Sequence, residues 1–521
     1  MSIKTISIVL TLILSSSFSG CILFQKTEFQ LISSTVIDDE GFVGVEINFN
    51  TTDKITLKII NPNGLVIFSE EFYKGIHNVV AYLDEYKVTP SSGNYTIKAS
   101  DQNGNSIFEK YLFFSNQKPD LVDVVEYWWL EDNKYSIVGL NITLKNNGDL
   151  PIYPYKVHLR IEDKESSWFI LPAVILPLQT KSVFCMIYIG DIAIGNNEIA
   201  VIVKNSQEET IGNKTYTVYP VENVDELKFS WRYIGKKDLV LPDVEFLYNY
   251  YISLDRLDAT DYAAYEFDRH DNQYTDLVTN KLKSIYESTN EISNDVSLIN
   301  YVASFVQNFE YIEDTTDCDY PRYPIETLKE KKGDCEDKAI LAASILKNLG
   351  YNVSLIQLPK HVAVGVNLDE NATNEDYFVE KYYYLETSST NWLLGKIPPE
   401  HKYQTNITVF TLQSRPILIH SWKNATRYSI NDGSDYIKMK IVVENLGVTT
   451  ASSFDIWAAF FTQDDIFFNE KTTPVSRLEA ATKKIVELTL DVPQEFSTKL
   501  KTRIYLNDKM VHERESLSNF P

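Results

Sequence analysis

The sequence predicts a multidomain, β-rich chain in which one α+β domain lies between all-β sandwiches. Three observations lead there. The 521 residues are too many for one hydrophobic core, so three to four domains are expected. Most of the chain alternates apolar and polar residues, and its 33 Tyr and 26 Phe suit pleated, half-buried surfaces. Between about 223 and 410 that texture gives way to apolar residues at helical spacing.

The first element is a leader. "MSIKTISIVLTLILSSSFSGC" places Lys4 before an apolar run from Ile6 to Leu14 and ends in small residues, which is the order of a secretory signal over 1–20. The run is too short to span a bilayer alone. Phe18-Ser19-Gly20-Cys21 resembles a prokaryotic lipobox, with Phe18 at the usual Leu position. That resemblance implies lipid attachment at Cys21, an anchor or linker over 21–26, and an extracellular, membrane-anchored location at the cell surface. A cleaved, soluble form is the alternative.

Residues 27–117 read as a β-sandwich, with turns at Asn61-Pro62-Asn63-Gly64 and Asn103-Gly104. A second follows over 118–222, and a third over 411–521. The phrase "LNITLKNNGDLPIYPYKVHLRI" returns as "MKIVVENLGVTTASSFDIWAAF". Ile142, Leu144, Asn146, Gly148 and Val157 meet Ile441, Val443, Asn445, Gly447 and Ile456 at a constant offset. These segments resemble the CARDB-type immunoglobulin-like modules of prokaryotic surface proteins, which implies spacers or binding platforms for cell-envelope proteins or glycans. The alternative is that hairpin bends simply favour Asn and Gly.

The formal net charge of -23, with no basic block interleaved with aromatics, repels polyphosphate and excludes nucleic acid as the expected partner. Export gives meaning to Asn-x-Ser/Thr triplets at Asn50, Asn94, Asn141, Asn213, Asn371, Asn406 and Asn424 as N-glycosylation sites. Chance is the competing explanation, and an eighth triplet at Asn352 is expected in a buried strand. With Cys21 lipidated, Cys185, Cys318 and Cys335 remain, an odd trio with no C-x-x-C metal pair. No cofactor or metal is expected. No EF-hand pattern occurs, so any calcium site has to be assembled from scattered residues.

The chemistry is expected in the α+β domain at 223–410. Val296, Ile299, Ala303 and Val306 predict one helix, and Ala339, Ile340, Ala343 and Leu346 after Asp334 predict another that stops at Gly350. Cys335 opens the second, where the helix dipole and free N–H groups favour a thiolate. Asp334, Glu336 and Asp337 oppose ionisation, and Asp337 is expected to turn inward to a structural hydrogen bond. "HVAVGVNL" starts a strand at His361, an acidic loop "DENATNEDYF" follows, and "KYYYLETSS" is a last strand containing Glu386. If Leu368 pairs with Lys381, His361 faces Ser388, Glu386 faces Ala363, and both side chains share one face. Cys335, His361 and Glu386 then form a nucleophile, base and orienting acid for thiol acyl transfer on a protein or peptide substrate. Taken singly, each has a plainer reading: a buried small residue, a loop histidine, a solvated acid. Cys318, just upstream, is either an ordinary loop thiol or an oxidation partner of Cys335.

"FVQNFEYIED", "YPRYPIETLKEKKGDCEDKAILAASILKNLGY", "LPKHVAVGV" and "YYYLETSS" resemble the transglutaminase-like superfamily, in particular its archaeal and bacterial extracellular members, over roughly 230–400. The resemblance implies a papain-like core with Cys335 as nucleophile, His361 as general base and Glu386 as orienting acid, resolved by water or by an amine. The acid is Glu386 where animal members have Asp, and no tryptophan is placed to stabilise an oxyanion. Tyr323 or the Cys335 backbone N–H is expected to do that. An envelope-binding scaffold with an inactive site of this fold is the alternative.

Overall fold

The computed structural model describes residues 28–257, 261–289, 294–314, 320–368, 377–429, 435–464, 466–494 and 497–519. The leader, Cys21, Cys318, Asn371 and the loop 369–376 lie outside these residues. The chain divides into two units.

Among the described residues, the first unit draws on 28–37, Gly44–Leu83 and Ser92–Phe114. Alternation in "FVGVEINFNT" sends Val45, Ile47 and Phe49 inward and leaves Glu46 and Asn48 half-exposed. A three-stranded sheet of Phe29–Asp39, Phe42–Thr51 and Gly75–Tyr82 accompanies a four-stranded one ordered Val66–Phe72, Ile55–Ile60, Gly93–Ser100, Ser106–Phe114. The expected turns are present: Gly64 and Gly104 have φ of +79° and +83° and donate to Asn61 O and Asp101 O.

In the second unit, the stretch from Asp120 to Val218 forms two antiparallel sheets, and that from Leu418 to Glu515 forms two more. The repeated phrase does the same work in each. Asn146 is fully buried; its Nδ2 donates to Leu150 O and Ile175 O, and its Oδ1 accepts from Gly148 N. Asn445, equally buried, donates to Thr449 O, Leu478 O and Glu479 O and accepts from Gly447 N. A Cβ on Gly148 would stand 2.6 Å from Ser115 O, and one on Gly447 2.2 Å from Arg415 O. Each phrase is thus a buried Asn knot beside a backbone approach that only glycine allows.

Among the described residues, six helices lie between these sandwiches: α1 (Glu245–Ile252), α2 (Ala263–Glu266), α3 (Asn272–Thr289), α4 (Asp295–Gln307), α5 (Pro324–Glu330) and α6 (Cys335–Asn348). Both helices predicted from apolar spacing are α4 and α6. Asn294 caps α4 by accepting from Ser297 N, and Gly350 follows α6 with φ +96°. Every residue of α6 from Cys335 to Leu346 is buried, because α3, α4, α5 and a sheet surround it. Its small Ala side chains permit that close approach, so α6 is a central helix.

The sheet is ordered Phe378–Val379, Tyr382–Leu385, His361–Asn367, Asn352–Leu358, Thr408–Thr411. Thr408–Thr411 pairs with Asn352–Leu358, which carries the core sheet past the boundary expected at 410. Asn352 opens a largely buried strand, as expected, and is itself half-buried. One continuous apolar cluster runs from Val124 through α6 to Ile417, joining the second sandwich to this core.

Candidate active site

Two adjacent strands position the base and the acid. Leu358 pairs with His361 across the two-residue turn Pro359–Lys360, with Lys360 at φ +62°. Val364↔Leu385, Gly365↔Tyr384 and Val366↔Tyr383 keep the register predicted for the His361 and Glu386 strands. Two details differ. Glu386 lies one residue beyond the end of its strand, and the short strand Phe378–Val379 precedes that strand and pairs on its far side, so the two are not a simple hairpin.

His361 and Glu386 meet as that register requires: Nε2 of His361 is 2.9 Å from Oε2 of Glu386, and both side chains are buried. Tyr384 OH donates to the same oxygen at 2.8 Å, and the N–H groups of Thr387 and Ser388 donate to Oε1. Burial opposes the charged carboxylate, but the bond from His361 and these donors outweigh it and hold the carboxyl near about 2. With Nε2 committed to the acid, Nδ1 is the ring nitrogen left to exchange a proton with a thiol.

Cys335 is buried at the start of α6, and the backbone N–H of Val362, next to His361, faces its sulfur. The expected thiolate does not result. The thiol donates to Glu336 Oε2 at 3.1 Å, and burial, reinforced by that carboxylate, drives its ionisation well above the usual range. Desolvation and a like charge thus overrule the helix dipole.

Asp337 turns inward. It is fully buried and accepts from the N–H groups of Arg322 at 2.7 Å and Asp334 at 3.2 Å, while its Oδ2 meets the Arg322 guanidinium. Gly333 makes room, since a Cβ there would stand 2.6 Å from Asp337 Cβ. Tyr323 is misplaced by the sequence reading. It precedes α5 and its ring packs in a buried cluster with Tyr251 and Tyr265, at centroid distances of 4.5 and 4.9 Å. Its aromatic bulk is used for the core, which leaves the Cys335 N–H as the expected oxyanion donor.

Several residues at the site were not anticipated. Gln307 is buried and donates from Nε2 to Glu386 O and Trp392 O, clamping the segment that follows the acid. Lys338, one turn after Cys335, is fully buried and donates to Phe309 O at 2.7 Å and Ser388 O at 2.9 Å. Burial lowers its ammonium to about 8, against the pull of Glu386. The imidazole of His401 stacks on that of His361. A polar residue on an otherwise apolar helix face was the available signal for Gln307 and Lys338; His401 gave none.

Two clusters bring potential metal-ligand atoms within 4.8 Å of one another: His361, Glu386 and His401, and Asp314, Asp334 and Glu336. In the first, the imidazole planes are 5° apart, so their in-plane lone pairs run side by side instead of converging on one ion. Among the described residues Cys185 and Cys335 are both free. No helix among them is long and apolar enough to cross a membrane. Asn94, Asn213 and Asn406 are exposed, and Asn50 and Asn141 are half-buried; Asn371 and the Asn424 side chain fall outside the description.

Residues 280–387 match the family model of the transglutaminase-like superfamily, a stretch from within α3 to Thr387 that includes Cys335, His361 and Glu386. The core of the chain is therefore transglutaminase-like, flanked by β-sandwiches. No curated protein matches the chain. Among solved structures, red sea bream transglutaminase is 10% identical with TM-score 0.16, covering 74% of this chain and 80% of that chain. The Amycolatopsis orientalis exo-chitosanase CsxA is 9% identical with TM-score 0.17, covering 92% and 77%. A Ruminococcus gnavus β-glucuronidase is 10% identical with TM-score 0.15, and this chain spans 38% of its length and 36% of its own. At these TM-scores the structural likenesses carry no argument, and the family match assigns the core.

Proposed function

We propose that the chain is a cysteine acyl-transfer enzyme of the transglutaminase-like type, acting on protein or peptide amides. The buried His361–Glu386 bond at 2.9 Å carries this reading, because a carboxylate that fixes one ring nitrogen leaves the other to take the proton of a thiol. In the reaction the Cys335 S–H proton passes to His361 Nδ1 as sulfur bonds to the acyl carbon. The carbonyl oxygen becomes an oxyanion near the Cys335 N–H. Collapse breaks the C–N bond, the imidazolium returns its proton to the leaving amine or ammonia, and a thioester remains. Water or an amine then attacks, with His361 again as base, restoring the thiol. Water is the more abundant acceptor, so hydrolysis is favoured over transamidation.

The order of the first 21 residues supports export and attachment through a lipid on Cys21, with the sandwiches as spacers or binding platforms of CARDB type. One observation favours a second reading, a non-catalytic envelope scaffold: the resting thiol is held by Glu336.

Intact-mass measurement after mixing with glutamine-containing peptides and an acid quench tests the enzyme reading. An acyl adduct on Cys335, absent in Cys335→Ser, is expected. A chain that gains no adduct and releases no product from any peptide or amide tried supports the scaffold.

A further inference from the structure

Two buried polar side chains hold the turn that carries the acid. The N–H groups of Thr387 and Ser388 donate to Oε1 of Glu386, while two carbonyls of the same turn, Glu386 O and Ser388 O, accept from side chains on different helices. Gln307, the last residue of α4, donates to the first at 2.8 Å, and Lys338 of α6 donates to the second at 2.9 Å. Whatever fixes these carbonyls fixes the donors that aim the acid at His361. Lys338 is 0% exposed. An ammonium taken so far from water is costly, and an apolar side chain of similar length fills the same space without that cost. The next five residues, Ala339 to Ala343, are all apolar and buried, so the packing of the helix does not call for a charge.

The surroundings of that ammonium all belong to the site. Nζ also donates to Phe309 O at 2.7 Å, lies 5.9 Å from the Tyr311 ring centroid, and feels the negative charge of Glu386. The short strand Glu310–Tyr311, which follows Phe309, pairs with Lys332–Gly333 just ahead of Cys335. Lys338 itself follows Cys335 by three residues, which places both on one side of α6. We propose that Lys338 is a positioning residue of the acyl-transfer site. Its ammonium ties the turn behind Glu386 to the side of α6 that carries the sulfur, and so sets how far the His361–Glu386 pair stands from the nucleophile. The consequence for rate rests on the acyl-transfer reading, whereas the tie is read in the resting chain.

Two substitutions separate position from packing. Lys338→Met keeps an unbranched chain and removes charge and donors, whereas Lys338→Arg keeps charge and donors at the expense of fit. Proton NMR of the full chain with isotope-labelled histidine follows the His361 ring N–H that Glu386 accepts, assigned by its absence from His361→Phe. The signal is expected in the native chain and in Lys338→Arg, and is expected to be lost to solvent exchange in a Lys338→Met chain whose circular dichroism matches the native one. Acyl-adduct formation on Cys335 from a glutamine-containing peptide should fall in Lys338→Met by on the order of 10²-fold in maximal rate, with the half-saturating peptide concentration unchanged, and recover in Lys338→Arg. A native-like ring N–H in folded Lys338→Met, or a Lys338→Arg chain whose signal is no better than that of Lys338→Met, would overturn the proposal. If Lys338→Met does not fold, Lys338→Gln is read in the same way, and failure of both to fold would make the lysine purely structural and overturn it too. A native chain that forms no adduct yet shows this dependence of the ring N–H on Lys338 would remove the enzyme and keep the tie.

Discussion

The imidazole of His401 lies flat on that of His361, with ring centroids 4.2 Å apart and planes 5° from parallel. Burial, and then the proximity of His361, lower the tendency of His401 to take a proton. Two stacked rings cannot both charge cheaply, so a proton on one opposes a proton on the other. Replacing His361 by Phe keeps an aromatic stack and removes the competing charge. NMR titration should then place the His401 pKa higher than in the native chain. An unchanged titration would mean that the two rings are not coupled.

Glu386→Gln keeps the shape of the acid and removes its charge. By analogy with orienting acids in other triads, acyl transfer is expected to fall by roughly 10²–10⁴-fold with the fold intact. The same change alters acid stability. The folded carboxyl at about 2 lies below its ordinary value of 4.5, so its contribution is complete above the ordinary value and disappears as pH falls through about 2. On the order of 3 kcal/mol should therefore leave the wild-type core between roughly pH 5 and 2. Urea denaturation across that range should show a flatter profile in the variant.

The Asn knots predict paired effects. Asn146→Ala and Asn445→Ala each strand buried carbonyl groups, at a cost of about 1–3 kcal/mol per group left unpaired. Because the two lie in different sandwiches, their effects should add within about 0.5 kcal/mol, as chemical denaturation of the single and double variants can check.

The third sandwich is expected to loosen in acid. His420 Nδ1 lies 2.8 Å from His512 Nδ1, which also accepts from the His420 backbone N–H; His420 Nε2 meets Thr502 Oγ1, to which Trp422 donates. Only one of two facing Nδ1 atoms can carry the shared proton, so this arrangement excludes a doubly charged pair. Burial, His512 and the Arg514 guanidinium, whose Nε donates to His420 O, lower His420 to about 3. A folded value below the free 6.5 means the unfolded chain binds the extra proton. Stability should thus fall by about 1.4 kcal/mol per pH unit between roughly pH 6 and 3. Hydrogen exchange in Leu418–Ser429 should accelerate over that range, and His420→Asn should remove most of the pH dependence.

What was legible in the sequence was whatever local order determines. Apolar spacing located α4 and α6, an assumed Leu368–Lys381 pairing gave the register seen between the His361 and Glu386 strands, and a constant offset marked the phrases that hold Asn146 and Asn445. What failed depends on residues distant in the chain or on competing fields. Tyr323 went to Tyr251 and Tyr265, and the thiol of Cys335 answered to burial and Glu336 more than to its helix. The Lys338 tie to Phe309 and Ser388 and the His401 stack arise only when loops close over α6 and the sheet.

Iodoacetamide labelling of the purified chain, read by mass spectrometry at Cys185 and Cys335 with His361→Ala alongside, tests the central claim most directly. The acyl-transfer account predicts that Cys335 reacts faster than the likewise buried Cys185 and that an acyl-donor peptide, by acylating it, slows its labelling. That excess should vanish in His361→Ala. Slow labelling at both cysteines, indifferent to peptide and to His361, would contradict it.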